Sequence, residues 1–165
     1  MIILGMDLSI ACPGFCVAEI RGGQVEILHL SHVKTKTTNT HGERLRIIFD
    51  HLENIFNEFP NIEVVAREKA IPASKFPGHV QTIMVLNKVV GITDLLTDDH
   101  GYKEIHEIPP TTLKKSLTGS GAASKPEVQA AVLPYLRTAV KFKNFDESDA
   151  AGVVVAYGKE KKLLG

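Results

Sequence analysis

The pair Gly22-Gly23 constrains this chain more than any other feature, because it stands between two stretches, 15–21 and 24–33, that are rich in Val and Ile. Glycines reach positive φ without steric cost, so two of them between β-prone runs predict a tight hairpin joining adjacent antiparallel strands. The stretch before the hairpin, 1–6, is short and mostly apolar and ends at Asp7, which suits a strand buried on both faces better than a helix. The chain therefore builds a sheet before it builds a helix.

From there strands and helices alternate. Thr40 and Glu43 form a T-x-x-E capping box ahead of Leu45, Ile48, Phe49, Leu52, Ile55, Phe56 and Phe59 at helical spacing, predicting an amphipathic helix that stops at Pro60 and presents a core stripe. Residues 63–66 are a second brief apolar strand running into Glu68, which lies between Arg67 and Lys69. After a loop at 75–78, residues 79–97 read as a long helix with Val80, Ile83, Met84, Val90 and Leu95 inward and Gly91 allowing close packing. Residues 104–108 alternate as a strand should, and Pro109-Pro110 end it. A short helix at 112–118, a flexible stretch at 119–123 and a Ser124–Glu127 capping box follow, the last opening a helix to about Leu136 that Pro134 kinks. The final helix is predicted to start with Asp146 as its N-cap, which puts Asp149 at N3 on the same edge of the first turn. Hairpin first and alternation after imply an α/β fold, a mixed central sheet flanked by helices. With 165 residues, 44% of them hydrophobic, and no repeat or linker-like boundary, one domain over 1–165 is expected.

No apolar run approaches the roughly 20 residues of a membrane span, and the N-terminus lacks a basic segment followed by an apolar core, so a soluble cytoplasmic protein without membrane contact is expected. Cys12 and Cys16, spaced C-x3-C with no second pair, support neither a zinc site nor a disulfide framework. The formal net charge of zero argues by itself against a nucleic-acid partner, but the charge is segregated. Residues 109–145 hold six basic residues (Lys114, Lys115, Lys125, Arg137, Lys141, Lys143) against one acid, Glu127, whereas 41–63 hold five acids against two arginines. The basic part runs directly into the last helix.

Ligand sites of open α/β sheets lie beyond the carboxyl ends of their strands, where Asp7 and Glu68 fall. The last helix can bring Asp146 and Asp149 to the same edge. Four acids together repel one another and raise one another's pKa values, an arrangement that divalent cations neutralise. Oxygen-only ligands select Mg²⁺ or Mn²⁺ over zinc, and two such ions about 4 Å apart support in-line phosphoryl displacement. Singly, each acid has a plainer role: Asp7 can cap a turn, Glu68 can pair with a neighbouring Lys or Arg, and Asp146 can cap its helix. Together, beside a basic segment, they favour a metal-dependent phosphodiesterase. Lys125, at a helix start after a Gly-rich loop, is placed to meet a phosphate; for it and Lys114 the alternative is a solvated lysine.

Four segments in order carry a resemblance: GMDLS at 5–9, the acid Glu68 after an apolar strand, LKKSLTGSGAASKPEV at 113–128 and DESDAAGVVVA at 146–156. The chain resembles the RuvC family of Holliday-junction resolvases in the ribonuclease H-like superfamily over nearly its whole length. The most specific part is matched by Leu113, Lys114, Leu117, Gly119, Gly121, Ala123, Lys125 and Val128, followed by D-x-x-D-A. The resemblance implies a ribonuclease H-like fold and structure-selective cutting of Holliday junctions, with three-way junctions and flaps as further substrates. It implies a homodimer and two Mg²⁺ ions per site, replaceable by Mn²⁺. Metal ligation carries over to Asp7, Glu68, Asp146 and Asp149, a catalytic role near the scissile phosphate to Lys125, and DNA contact to Lys69, Lys75, Lys114, Lys115 and Lys125. Two departures stand out. Asp7-Leu8-Ser9 replaces the usual D-P-G, and Ile71 stands where the family often has an aromatic residue, with Phe76 the nearest one downstream. In its compact form the chain looks like phage-encoded members, placing it in a bacterial or phage-infected host cytoplasm. Two other readings remain: an actin-like or sugar-kinase-like ATP-binding domain, which needs a second phosphate loop and an adenosine motif that the sequence lacks, and a branched-DNA-binding module without catalysis.

Overall fold

The computed structural model describes residues 1–70 and 77–165. Strands β1 (Ile2–Asp7), β2 (Gly14–Arg21) and β3 (Gln24–His32) are antiparallel neighbours, and Gly22 and Gly23 turn the hairpin at φ 60° and 75°. Helix α1 (His41–Glu58) follows, opened by the Thr40–Glu43 capping box, and leads into β4 (Val64–Glu68). Next come α2 (Val80–Asp99), β5 (His106–Ile108), α3 (Pro110–Thr118), α4 (Lys125–Val132) and α5 (Phe145–Glu160). The sheet order is β3-β2-β1-β4-β5, with β4 parallel to both β1 and β5. This is the mixed sheet flanked by helices that the hairpin and the later alternation imply.

Strand alternation divides the interior in two. Ile3, Cys16, Ala18, Ile20 and Ala66 face α3, α4 and α5, while Leu4, Met6, Phe15, Val17 and Val65 face α1 and α2. Asp7 and Glu68 share the parity of Ile3 and Ala66, so both belong to the α5 face. Helix α5 lies against that face at glycine positions: a Cβ on Gly5 would come within 2.5 Å of the Ala150 carbonyl, and one on Gly14 would overlap the carbonyl of Asp146. The backbone of the last helix is thereby seated on β1 and β2.

Several expectations are corrected. Asn144, not Asp146, is the N-cap of α5: its side chain accepts the Glu147 N–H at 3.0 Å, leaving Asp146 at N2 and Asp149 one turn further on. Helix α4 ends at Val132, ahead of Pro134, and a 3-10 turn at Leu133–Tyr135 replaces the kinked extension to Leu136. Pro110 opens α3 rather than merely ending the strand, as a residue without an N–H can at the first helical position. The largest correction concerns α2. Its inward residues are Ile83, Val89, Thr93, Leu96 and Thr97, whereas Val80, Met84 and Leu95 are exposed and Gly91 faces open space. By length and composition α2 is apolar enough to cross a membrane, contrary to the expectation that no segment is: it has 20 residues, and an 18-residue stretch of it has a mean hydropathy of 1.2, with 28% of that stretch buried.

Candidate active site

Met6 of β1 sits opposite Arg67 of the parallel β4, so the residue that follows on each strand, Asp7 and Glu68, is an acid at the same end of the sheet. Helix α5 crosses that end with Asp146 and Asp149 in its first turns. The convergence is electrostatically visible. Burial first, then the fields of Asp149, Glu68 and Asp146, push the Asp7 carboxyl up to about 7, against the opposing field of Lys125. Glu68 is raised too, by burial and then by Asp149, with Lys114 and Lys125 pulling the other way. Both basic residues singled out beside the acids therefore stand next to them.

Lys125 is the first residue of α4, where the Ser124–Glu127 pair fixes the turn: the Glu127 carboxylate accepts the Ser124 N–H at 2.8 Å and its hydroxyl at 2.6 Å. From there the Lys125 Nζ donates to Asp149 Oδ2 at 2.9 Å. Burial works against its charge, but this hydrogen bond and the fields of Asp149, Asp7 and Asp146 hold its pKa above the ordinary value. The lysine neutralises part of an acidic site while keeping a largely exposed side chain.

Beside the acids lies a cleft of about 370 Å³ lined by Asp7, Leu8, Glu68, Lys69, Ile83 and Leu86, among others. Exposed Lys69 stands at its edge. Lys115 is exposed on α3, and among the described residues no hydrogen bond or ion pair joins it to the acids. Lys75, Ile71 and Phe76 lie outside the described residues. Arg67, the neighbour offered above as a partner for Glu68, points to the opposite face and pairs with Asp94 of α2 and Glu107 of β5. The thiols are free; Cys12 is held up at about 11 by burial and by a hydrogen bond to Asp146, and Cys16 at about 12 by burial.

Two residues beside the acids escaped the sequence reading. Glu147 is 1% exposed, and its Oε1 is 2.8 Å from His32 Nδ1 at the end of β3. The available signal was the Asn144–Glu147 spacing, which matches a capping box; the glutamate turns inward instead of back to the N-cap.

The donor set fits a hard divalent cation: four carboxylates and no nitrogen or sulfur, whose mutual repulsion a cation relieves. Among the described residues no three His, Cys, Asp or Glu side chains yet stand at metal-holding spacing, with Lys125 inserted beside Asp149.

Acids at the ends of two parallel strands, joined by acids from a helix crossing them, place the molecule with the ribonuclease H-like nucleases. The chain belongs to the RuvC family: residues 3–157 match the family model described as crossover junction endodeoxyribonuclease RuvC. A RuvC of Alkaliphilus oremlandii is 30% identical over 157 residues, covering 95% of this chain and 92% of that protein. One from Clostridioides difficile is 28% identical over 163 residues, covering 99% and 93%. The fold matches Thermus thermophilus RuvC in complex with a Holliday junction substrate, with TM-score 0.86, 22% identity, and 99% and 96% of the two chains covered. It also matches the yeast mitochondrial Holliday junction resolvase Ydc2, with TM-score 0.68, 15% identity, and coverage of 98% and 79%.

Proposed function

We propose that this chain is a structure-selective endodeoxyribonuclease that cuts Holliday junctions and other branched DNA during recombination, repair or debranching of replication intermediates, in the cytoplasm of a bacterium or a phage-infected host. The observation that carries it is the shared field at Asp7, where carboxylates from two strand ends and one helix meet a lysine from a fourth element. Membership of a family of metal-dependent nucleases supports the same chemistry.

Asp7, Glu68, Asp146 and Asp149 are the proposed metal ligands, Mg²⁺ the proposed ion with Mn²⁺ as substitute, and two ions per site the proposed number. Such ions supply an activated water and stabilise the leaving oxygen of the phosphodiester. Lys125, free to turn from Asp149, is the proposed catalytic partner of the scissile phosphate, and Lys114 favours the ionised form of Glu68. Lys69, Lys75 and Lys115, with Lys114 and Lys125, are the proposed contacts to the DNA backbone. A homodimer is proposed because a junction offers two equivalent strands. In support, Val80, Met84, Gly91 and Leu95 are spaced along one exposed stripe of α2, opposite its buried residues.

Synthetic four-way, three-way, flap and linear substrates, incubated with purified protein and Mg²⁺ or Mn²⁺, test the reading. Paired nicks in the four-way junction, slower cutting of the other branched forms and an intact linear duplex are expected. Branched substrates left uncut with both ions overturn it and leave a DNA-binding module.

A further inference from the structure

Glu147 stands between two proposed metal ligands in sequence yet behaves unlike either. It is 1% exposed, among the largest fully buried side chains, and it is absent from the carboxylates whose fields act on Asp7. On α5 it lies about 100° around from Asp146 and about 160° from Asp149, so it projects away from the side those two share. Both of its oxygens are occupied. Oε1 meets His32 Nδ1 at 2.8 Å and Oε2 accepts the Lys143 N–H at 2.8 Å, while its own N–H donates to Asn144 Oδ1 at 3.0 Å. An uncompensated buried carboxylate is costly, so these contacts hold the side chain in one place.

His32 is at the end of β3, paired in the sheet with Gly14, and Gly14 is the residue on which the carbonyl of Asp146 rests. The first turn of α5 is thus gripped at two points by the β2–β3 hairpin. One is the steric seat at Gly14; the other is the hydrogen bond from His32. Nothing else among the described contacts ties the edge strand β3 to the acidic turn by a side-chain pair. Given a metal at these acids, we propose that His32 and Glu147 are a positioning pair, which fixes the first turn of α5 and so sets how Asp146 and Asp149 meet a divalent cation.

Calorimetric titration of Mn²⁺ into apo protein tests this, alongside the Mn²⁺ dependence of junction cutting. Wild type should bind Mn²⁺. His32→Ala should bind it about tenfold or more weakly, the scale on which residues supporting metal ligands act. Its cutting rate should recover at saturating Mn²⁺ far more than at limiting Mn²⁺. His32→Asn, which restores a donor near the Nδ1 position, should regain most of the affinity. Tyr102→Phe removes a hydrogen bond to the Ile62 carbonyl at a different part of the sheet, and should lower the melting temperature without moving Mn²⁺ affinity. If His32→Ala does not fold, the near-isosteric Glu147→Gln takes its place, with several-fold weaker binding expected because one N–H loses its acceptor. Unchanged Mn²⁺ affinity in a folded His32→Ala or Glu147→Gln protein overturns the positioning role while leaving the metal site standing. A wild type that takes up no Mn²⁺ overturns both.

Discussion

Helices α5 and α2 lie on opposite faces of one sheet and are both largely apolar, yet they are used in opposite ways. From Ala150 to Gly158 every residue of α5 is buried, and the small ones let neighbours close in: Gly152 is approached by Leu117, Val132 and Val128, and Gly158 by Ile20 and Leu164. Helix α2 buries one stripe and turns Val80, Met84 and Leu95 to solvent. A helix enclosed on all sides cannot shift without rebuilding the core, which suits the one that carries two acids to the site. A helix with an outward apolar stripe offers a surface on which the proposed homodimer can close. The proposed chemistry therefore belongs to the finished face, and the proposed self-association to the unfinished one.

The largest effects should come from the finished face. Asp7→Asn or Glu68→Gln is expected to reduce junction cutting by about a thousandfold or more, with junction binding in a gel-shift assay changed by no more than about twofold, since the proposed role of these acids is to hold metal rather than phosphate. Equal losses of cutting and binding would show that the acids serve the DNA interface instead. On the other face, Met84→Glu together with Leu95→Glu should leave the circular dichroism spectrum and melting temperature nearly unchanged while weakening self-association by about a hundredfold in sedimentation experiments. A charge placed at Val154, its counterpart on α5, should prevent folding altogether, because that side chain is 0% exposed. If the α2 double variant unfolds, or wild type sediments as a monomer at micromolar concentration, the contrast between the helices disappears.

The same two helices mark what was legible in the sequence. Local chemistry was plain wherever a residue type has one backbone use: Gly22-Gly23 turned the hairpin, and Thr40 with Glu43 and Ser124 with Glu127 started helices where expected. That Asp7 and Glu68 would meet at one edge was readable because each ends a short apolar strand, and the ends of neighbouring parallel strands share an edge. The inward face of α2 was not readable. Apolar residues occur all around it, so periodicity alone could not separate buried Val89 and Leu96 from exposed Met84 and Leu95. At the start of α5 two residues able to cap, Asn144 and Asp146, stand two apart, and tertiary contact decided between them: the Asp146 backbone rests on Gly14 and the Glu147 N–H turns to Asn144. The burial of Glu147 depends on His32, 115 positions away, which no local pattern encodes.

The smallest effect, and the most discriminating, is on apo stability as a function of pH. Asp7 has its carboxyl pushed up to about 7 in the folded protein, against 3.8 for an unperturbed side chain. Between those values the unfolded chain has released the proton and the folded one still holds it, so the unfolded state binds fewer protons and stability falls as pH rises. Below about pH 4 both forms are protonated and nothing is lost; above about pH 7 both are ionised and the loss is complete. Asp7→Asn removes this penalty. The variant should therefore melt like wild type at pH 4 and be more stable at pH 8 by on the order of 2 kcal/mol, a shift of several degrees. If Mg²⁺ is the ion, as proposed, it opposes the same penalty by binding the ionised acids, so millimolar Mg²⁺ should raise the wild-type melting temperature at pH 8 and leave that of Asp7→Asn almost unmoved. The Met84→Glu, Leu95→Glu protein should keep the wild-type pH profile, because α2 contributes no acid to the field at Asp7. A flat difference between wild type and Asp7→Asn across pH 4 to 8 would mean that the acids of the finished face do not share a field, and the metal site would lose its physical basis.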